Sequence, residues 1–189
     1  WQGENMNFNG KRFSVGNLKI TPTPVIKPKL LLGGMSEPAI SRAARIGDGF
    51  LCTGGIGLDI YANALTAEGK NLDDGNVVMG CWAIIAEDPE KEAARVGKHV
   101  LYQTNEYIKW GAFGPPEETP LFDTPATAIE NGLYELWDAN LAVSKLQELK
   151  NAYPMISDIH FWAQFPGESL ASGSERMAYI AREVLPKLK

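Results

Sequence analysis

Two glycine-rich turns carry the residues of this sequence best suited to chemistry. Gly33, Gly34, Met35 and Ser36 form the first, and Thr53, Gly54 and Gly55 the second. Glycine has no Cβ, so backbone N–H groups in such turns approach a ligand closely. Where a turn opens a helix, unpaired donors and the positive end of the helix dipole attract an anion. Ser36 adds one hydroxyl and Thr53 another. A phosphate fits between the two turns. The alternative is structural: glycines of this kind also make tight strand-to-helix turns and nothing more. No Walker pattern is present, and Gly47-Asp48-Gly49 ends a helix where a dinucleotide fingerprint would open one.

The elements around these turns follow from pattern. Leu30-Leu31-Leu32 is short and wholly apolar, which predicts a strand buried on both faces of a parallel sheet. Ser36 stands at the expected helix N-cap, followed by Glu37 and Pro38. Ala39, Ile40, Ala43, Ala44 and Ile46 give that helix its apolar stripe, and Gly47 ends it. Phe50-Leu51-Cys52 is the next strand, completing a βαβ unit. Upstream, Phe8-Asn9-Gly10-Lys11 predicts a turn, Phe13-Ser14-Val15 a brief strand, and Pro22, Pro24 and Pro28 an extended lead-in.

Downstream, Leu58–Ala67 predicts a helix and 77–86 a third buried strand. Asp88 caps a long helix from Pro89 towards Leu101 or Tyr107. A Gly/Pro-rich loop spans 112–125, then helices are predicted over 125–137 and 142–149. A fourth strand is predicted at 156–165, an exit turn at 166–169 and a last helix at 173–187. This alternation predicts a parallel α/β fold, either doubly wound or part of a barrel. Four strand–helix units are half of what a (β/α)8 barrel needs.

Composition excludes several classes. The 189 residues suffice for one domain, and 44% hydrophobic with 22% charged residues is ordinary for a globular protein. A net charge of −5 without a basic run argues against nucleic acid. No apolar stretch reaches membrane-spanning length and no signal peptide is evident, so a cytoplasmic protein is expected. Cys52 and Cys81 sit in apolar runs and read as reduced core residues. The acidic pairs Asp73-Asp74 and Glu117-Glu118 lack metal-ligand spacing, so no metal is expected. The chain starts Trp1-Gln2-Gly3-Glu4 without an initiator Met, which suggests a piece of a longer protein.

The motifs FNGKRFSV, LLLGGMS after a Pro-rich lead, AARIGDGFLCTGG, and FPGES with EVLPKL near the end occur in an order that resembles the bacterial-luciferase-like family. That resemblance covers essentially the whole chain. It implies a flavin- or deazaflavin-dependent oxidoreductase or monooxygenase on a TIM barrel, with this chain as strands five to eight, the C-terminal half. Carried over by position, it implies that Gly33, Gly34, Met35 and Ser36, with Thr53, Gly54 and Gly55, bind the cofactor phosphate. FMN is the expected cofactor, with a deazaflavin coenzyme as the alternative. In the deazaflavin-dependent sugar-phosphate dehydrogenases a lysine follows the second glycine turn. Ile56 stands there in this chain, which weakens a sugar-phosphate reading. The rival reading is a non-catalytic half-barrel that binds a phosphate-bearing ligand or only assembles.

The resemblance places most catalytic groups in the other half of the barrel, so no catalytic residue is assigned. His160 reads as a core histidine, with a contact to substrate or flavin as the alternative. His99 reads as solvated surface. Glu168 and Ser169 either line the site mouth or cap the last helix. Tyr102, Tyr107, Trp110 and Phe113 read as packing for a loop, with a hydrophobic substrate lid as the alternative. The substrate is expected to be a small molecule. Four strands alone leave two open edges and one bare face, so the partner is expected to be the missing N-terminal half or a second copy of this chain.

Overall fold

The computed structural model describes residues 2–131 and 134–188. The first strands, β1 (Met6–Asn9) and β2 (Ser14–Leu18), pair as an antiparallel hairpin closed by a turn in which the Gly10 N–H donates to the Phe13 carbonyl at 2.9 Å. An extended strap with a cis Thr21–Pro22 bond leads to β3 (Leu31–Gly33). Then come α1 (Glu37–Ile46), β4 (Gly49–Thr53) and α2 (Leu58–Ala67). The strand predicted over 77–86 is two pieces, β5 (Val77–Cys81) and β6 (Ala83–Ile85), interrupted at Trp82.

The long helix α3 (Pro89–Lys109) starts at the Asp88 cap, whose carboxylate accepts the Lys91 N–H at 3.0 Å, and runs past the expected end at Tyr107. The helix predicted over 125–137 is only α4 (Pro125–Glu130); residues 132–133 of it lie outside the described residues. Its last part is instead a strand, β7 (Glu135–Trp137), which pairs in parallel with β6. Helix α5 (Ala139–Ala152), strand β8 (Ile156–Phe161) and helix α6 (Leu170–Glu183) complete the order. Among the described residues, no helix is long and apolar enough to cross a membrane.

The main sheet is parallel, in the order β3-β4-β5-β8. One face is closed. Phe50 and Cys52 of β4 and Val77 and Met79 of β5 pack with Ile40 of α1, Tyr61 and Leu65 of α2, Leu146 of α5 and Val184 after α6. Phe50 stacks on Tyr61 with centroids 5.2 Å apart. The other face is open. Leu51 between Phe50 and Cys52 is 50% exposed, and Thr53, Asp158 and His160 are exposed as well. The expectation of strands buried on both faces therefore fails within this chain, because all the sheet's helices pack on one side.

Candidate functional site

Strand β3 carries the first glycine turn to the C-terminal edge of the sheet, with Gly33 opposite Leu51 of β4. Gly34 has a packing reason of its own: a Cβ there would stand 2.5 Å from the Ala39 Cβ, so α1 could not close on the turn. Ser36 occupies the N-cap position, and its carbonyl accepts the Ala39 and Ile40 N–H groups at 3.0 Å each. Its side chain makes no capping bond, contrary to what the sequence suggests. Among the described residues the Ser36 hydroxyl is uncommitted and exposed. Glu37 in the first turn answers part of the helix dipole, and Pro38 offers no N–H. The hydroxyl is thus an available donor of this turn.

The second turn is built by conformation. Gly54 and Gly55 have φ of +59° and +77°, a region L side chains rarely adopt. Nothing lies within 4 Å of the place a Gly54 Cβ would take, so backbone geometry alone selects glycine there. The Gly54 N–H donates to the Gly80 carbonyl at 2.8 Å, and the Ile56 N–H to the Thr53 carbonyl at 3.1 Å. Thr53 lies opposite Gly80, which in turn lies opposite His160, so the three form a row across the open face.

Two cavities meet at this edge. One, of about 600 Å³, is lined by Met35, Thr53, Gly54, Gly55 and Ile56 and continues to Cys81, Trp137 and Lys145. The other, of about 560 Å³, lies on the open face and shares Met35 and Thr53. The fold thus brings together Met35, Thr53, Gly54 and Gly55, whereas Gly33, Gly34 and Ser36 line neither cavity. Lys145 is 3.2 Å from Glu135, and Glu135 also accepts the Trp137 indole N–H at 3.0 Å. Burial, with the Glu135 charge beside it, pushes the Cys81 thiol up to about 12, and burial pushes Cys52 up to about 11. Both cysteines are free and buried. Among the described residues, no three His, Cys, Asp or Glu are placed to hold a metal ion. The left-handed Gly54-Gly55 turn with the Thr53 hydroxyl beside it is a donor set that fits a phosphate group.

The profile of the luciferase-like monooxygenases matches residues 1–152. The chain belongs to that family. It is 37% identical over 103 residues to an F420-dependent glucose-6-phosphate dehydrogenase 2 of Rhodococcus jostii, covering 50% of this chain and 30% of that protein. It is 29% identical over 107 residues to an FMNH2-dependent dimethylsulfone monooxygenase of Pseudomonas fluorescens, covering 56% of this chain and 29% of the relative. A solved coenzyme F420-dependent tetrahydromethanopterin reductase of Methanopyrus kandleri superposes with a TM-score of 0.67 at 18% identity, over 100% of this chain and 59% of the other. The matched segments therefore cover less than a third of those curated relatives, and the chain superposes on somewhat over half of the solved reductase.

Within this luciferase-like chain the remaining candidates separate. His160 is exposed on the open face, so the core-histidine reading is overturned. It lines the second cavity with Trp82, Tyr107, Phe113 and Trp162. His99 is partly buried, its Nδ1 2.9 Å from the Pro166 carbonyl, and is not the solvated surface group expected. Ser169 caps α6 by accepting the Ser172 N–H at 3.3 Å, which starts that helix three residues earlier than the expected Gly173. Glu168 does not line the site. Its side chain is 2% exposed and accepts from the Phe165 N–H at 2.9 Å, from Arg176 at 2.5 and 2.7 Å, and from the Ser172 hydroxyl. Arg176 also reaches Glu92 of α3 at 2.6 Å, so this buried ion network ties α6 to α3.

Sequence reasoning gave Trp82 and Trp162 no chemical role. The available signal was parity: Gly80 and Trp82, like His160 and Trp162, sit two residues apart and so share a face of an extended strand.

Proposed function

We propose that this luciferase-like chain is the C-terminal half, strands five to eight, of a (β/α)8 barrel and holds the phosphate of a flavin-type cofactor for an oxidoreductase or monooxygenase. The observation that carries this reading is the left-handed Thr53-Gly54-Gly55 turn at the C-terminal edge of a parallel sheet, sharing its cavity with Met35 of the neighbouring turn. In parallel α/β folds, ligands bind at the carboxyl ends of the strands. The Thr53 hydroxyl and the Gly54-Gly55 backbone hold the phosphate, and the first turn, Gly33 to Ser36, offers the exposed Ser36 hydroxyl from outside the cavity. The cofactor supplies the redox chemistry when bound, and this chain positions it.

FMN is the preferred cofactor, supported by the FMNH2-dependent relative, and Ile56 weakens only a sugar-phosphate substrate. A deazaflavin is the alternative, supported by the relatives whose names carry F420. The open face, with Leu51 and Trp162 exposed, calls for cover from the other half of the barrel or from a second copy of this chain. A cytoplasmic location suits two buried, unpaired thiols.

The test is reconstitution. Purified chain mixed with FMN, and separately with coenzyme F420, is desalted and its absorption spectrum recorded. A retained flavin or deazaflavin band that inorganic phosphate competes away is the expected result. A colourless chain with both cofactors sinks the proposal in favour of a non-catalytic half-barrel. Light scattering adds a second check: a cooperatively melting monomer near 20.7 kDa would show that the open face needs no partner.

A further inference from the structure

We infer that the wall formed by Trp82, Tyr107, Phe113, His160 and Trp162 takes an uncharged, largely apolar substrate and not a sugar phosphate. This rests on the proposed cofactor site, which it adjoins through Met35 and Thr53. The rings form one connected surface. Trp82 lies 5.6 Å from Tyr107 and 5.8 Å from Trp162, and Tyr107 lies 6.5 Å from Phe113. Tyr134 and Phe165 back Trp82 from behind, so the wall is anchored in a buried cluster. Gly80 at the floor leaves space above the sheet: a Cβ there would meet only the Cys52 carbonyl, at 3.8 Å.

Charge argues in the same direction. The wall's polar groups are the His160 imidazole, the Tyr107 hydroxyl and the indole N–H groups of Trp82 and Trp162. The adjoining cavity carries Glu135, Glu148 and Lys145, and Lys145 is already paired with Glu135. Among the described residues lining the two cavities there is thus no unpaired cation to meet a second phosphate. A dianion placed against the aromatic wall would lose its hydration to the rings, without the glycine-turn donors proposed for the cofactor phosphate. An apolar molecule gains from the same surroundings, with His160 available to orient one polar atom of it.

N-phenyl-1-naphthylamine, an uncharged aromatic dye that brightens in apolar sites, tests this. It is titrated into the full chain with and without FMN, exciting tryptophan and reading energy transfer to the dye. Saturable binding is expected, weakened about tenfold in Trp82→Ala and in Trp162→Ala, as for loss of a central aromatic contact. Glucose 6-phosphate is expected not to displace the dye. Equal binding in wild type and Trp162→Ala, or displacement by glucose 6-phosphate, overturns the inference. Trp162 lies on the open face, so its variant decides the matter if Trp82→Ala does not fold by circular dichroism. FMN titrations of the same samples separate the two readings. Dye binding without FMN binding sinks only the cofactor site, and FMN binding without dye binding sinks only the substrate wall.

Discussion

The two faces of the β3-β4-β5-β8 sheet use adjacent residues of the same strands to opposite ends. On the helix side, Phe50 and Cys52 are all but inaccessible; one residue away, Leu51 is half exposed and Thr53 faces a cavity. The closed face is a finished core, and the open face carries the cavity of the candidate site. Alternation along a strand makes this division possible, since side chains at i and i+2 share a face. A matched pair of truncations tests this division of the sheet. Phe50→Ala is expected to cost about 3–5 kcal/mol of unfolding free energy in urea titrations, for a buried ring stacked on Tyr61. Leu51→Ala is expected to cost under about 1 kcal/mol. Equal costs would mean that the open face is covered.

The closed side has a second support whose loss is nearly as large. Arg176 is held between Glu168 and Glu92 and is buried. Arg176→Met leaves buried Glu168 with only the longer 3.5 Å contact to Arg95 as counter-charge, and about 3 kcal/mol of destabilisation is expected. Acid should show the same network. Burial alone would raise the Glu168 carboxyl, but bonds from Arg176, Phe165 N–H and Ser172 outweigh it and hold it down at about 2, against an ordinary 4.5. A carboxyl lowered by folding stabilises the protein above its ordinary value and loses that contribution as pH falls. Wild-type melting temperature is therefore expected to drop between about pH 4.5 and pH 2, with a shallower slope in Glu168→Gln. Matching slopes would show that Glu168 is not the titrating strut.

What could be read beforehand follows the range of the interactions involved. Helix α2 occupies the span expected from its apolar stripe and α1 ends at the expected Gly47, because local spacing and a stop residue define both. The break at Trp82 and the strand β7 were not legible. Glu135–Trp137 is three residues long without alternation, and only pairing to Ala83–Ile85, some fifty residues away, makes it a strand. The glycine turns were visible as sequence, since glycine announces its backbone. The aromatic wall was not, because register between β5 and β8 places His160 beside Gly80 and no local pattern states that register. Glu168 misled for the same reason: its partner Arg176 stands one helix turn and more beyond the exit loop, and Glu92 lies on another helix.

The binding edge should tolerate change with smaller cost, and the two turns should differ. Gly54→Ala forces a side chain into a left-handed backbone with open space around it. A loss of about 1 kcal/mol is expected from conformation alone, read in the same urea titrations. No loss would mean that this turn relaxes freely and that glycine there serves the ligand only.

Ser36→Ala is the smallest change and the most discriminating. A serine that caps its helix costs about 1 kcal/mol on removal. The Ser36 side chain makes no capping bond, so stability of the unliganded chain is expected to stay within about 0.5 kcal/mol of wild type. If the free hydroxyl instead reaches the cofactor phosphate, FMN affinity should fall about tenfold or more, the loss of one hydrogen bond to a charged acceptor. Thermal melts without ligand and FMN titrations on the same preparation read the two effects separately. A lower melting temperature with unchanged FMN affinity would make Ser36 a helix cap after all and remove the first glycine turn from the site. The contrast between a finished face and a binding face would then rest on Thr53, Gly54 and Gly55 alone.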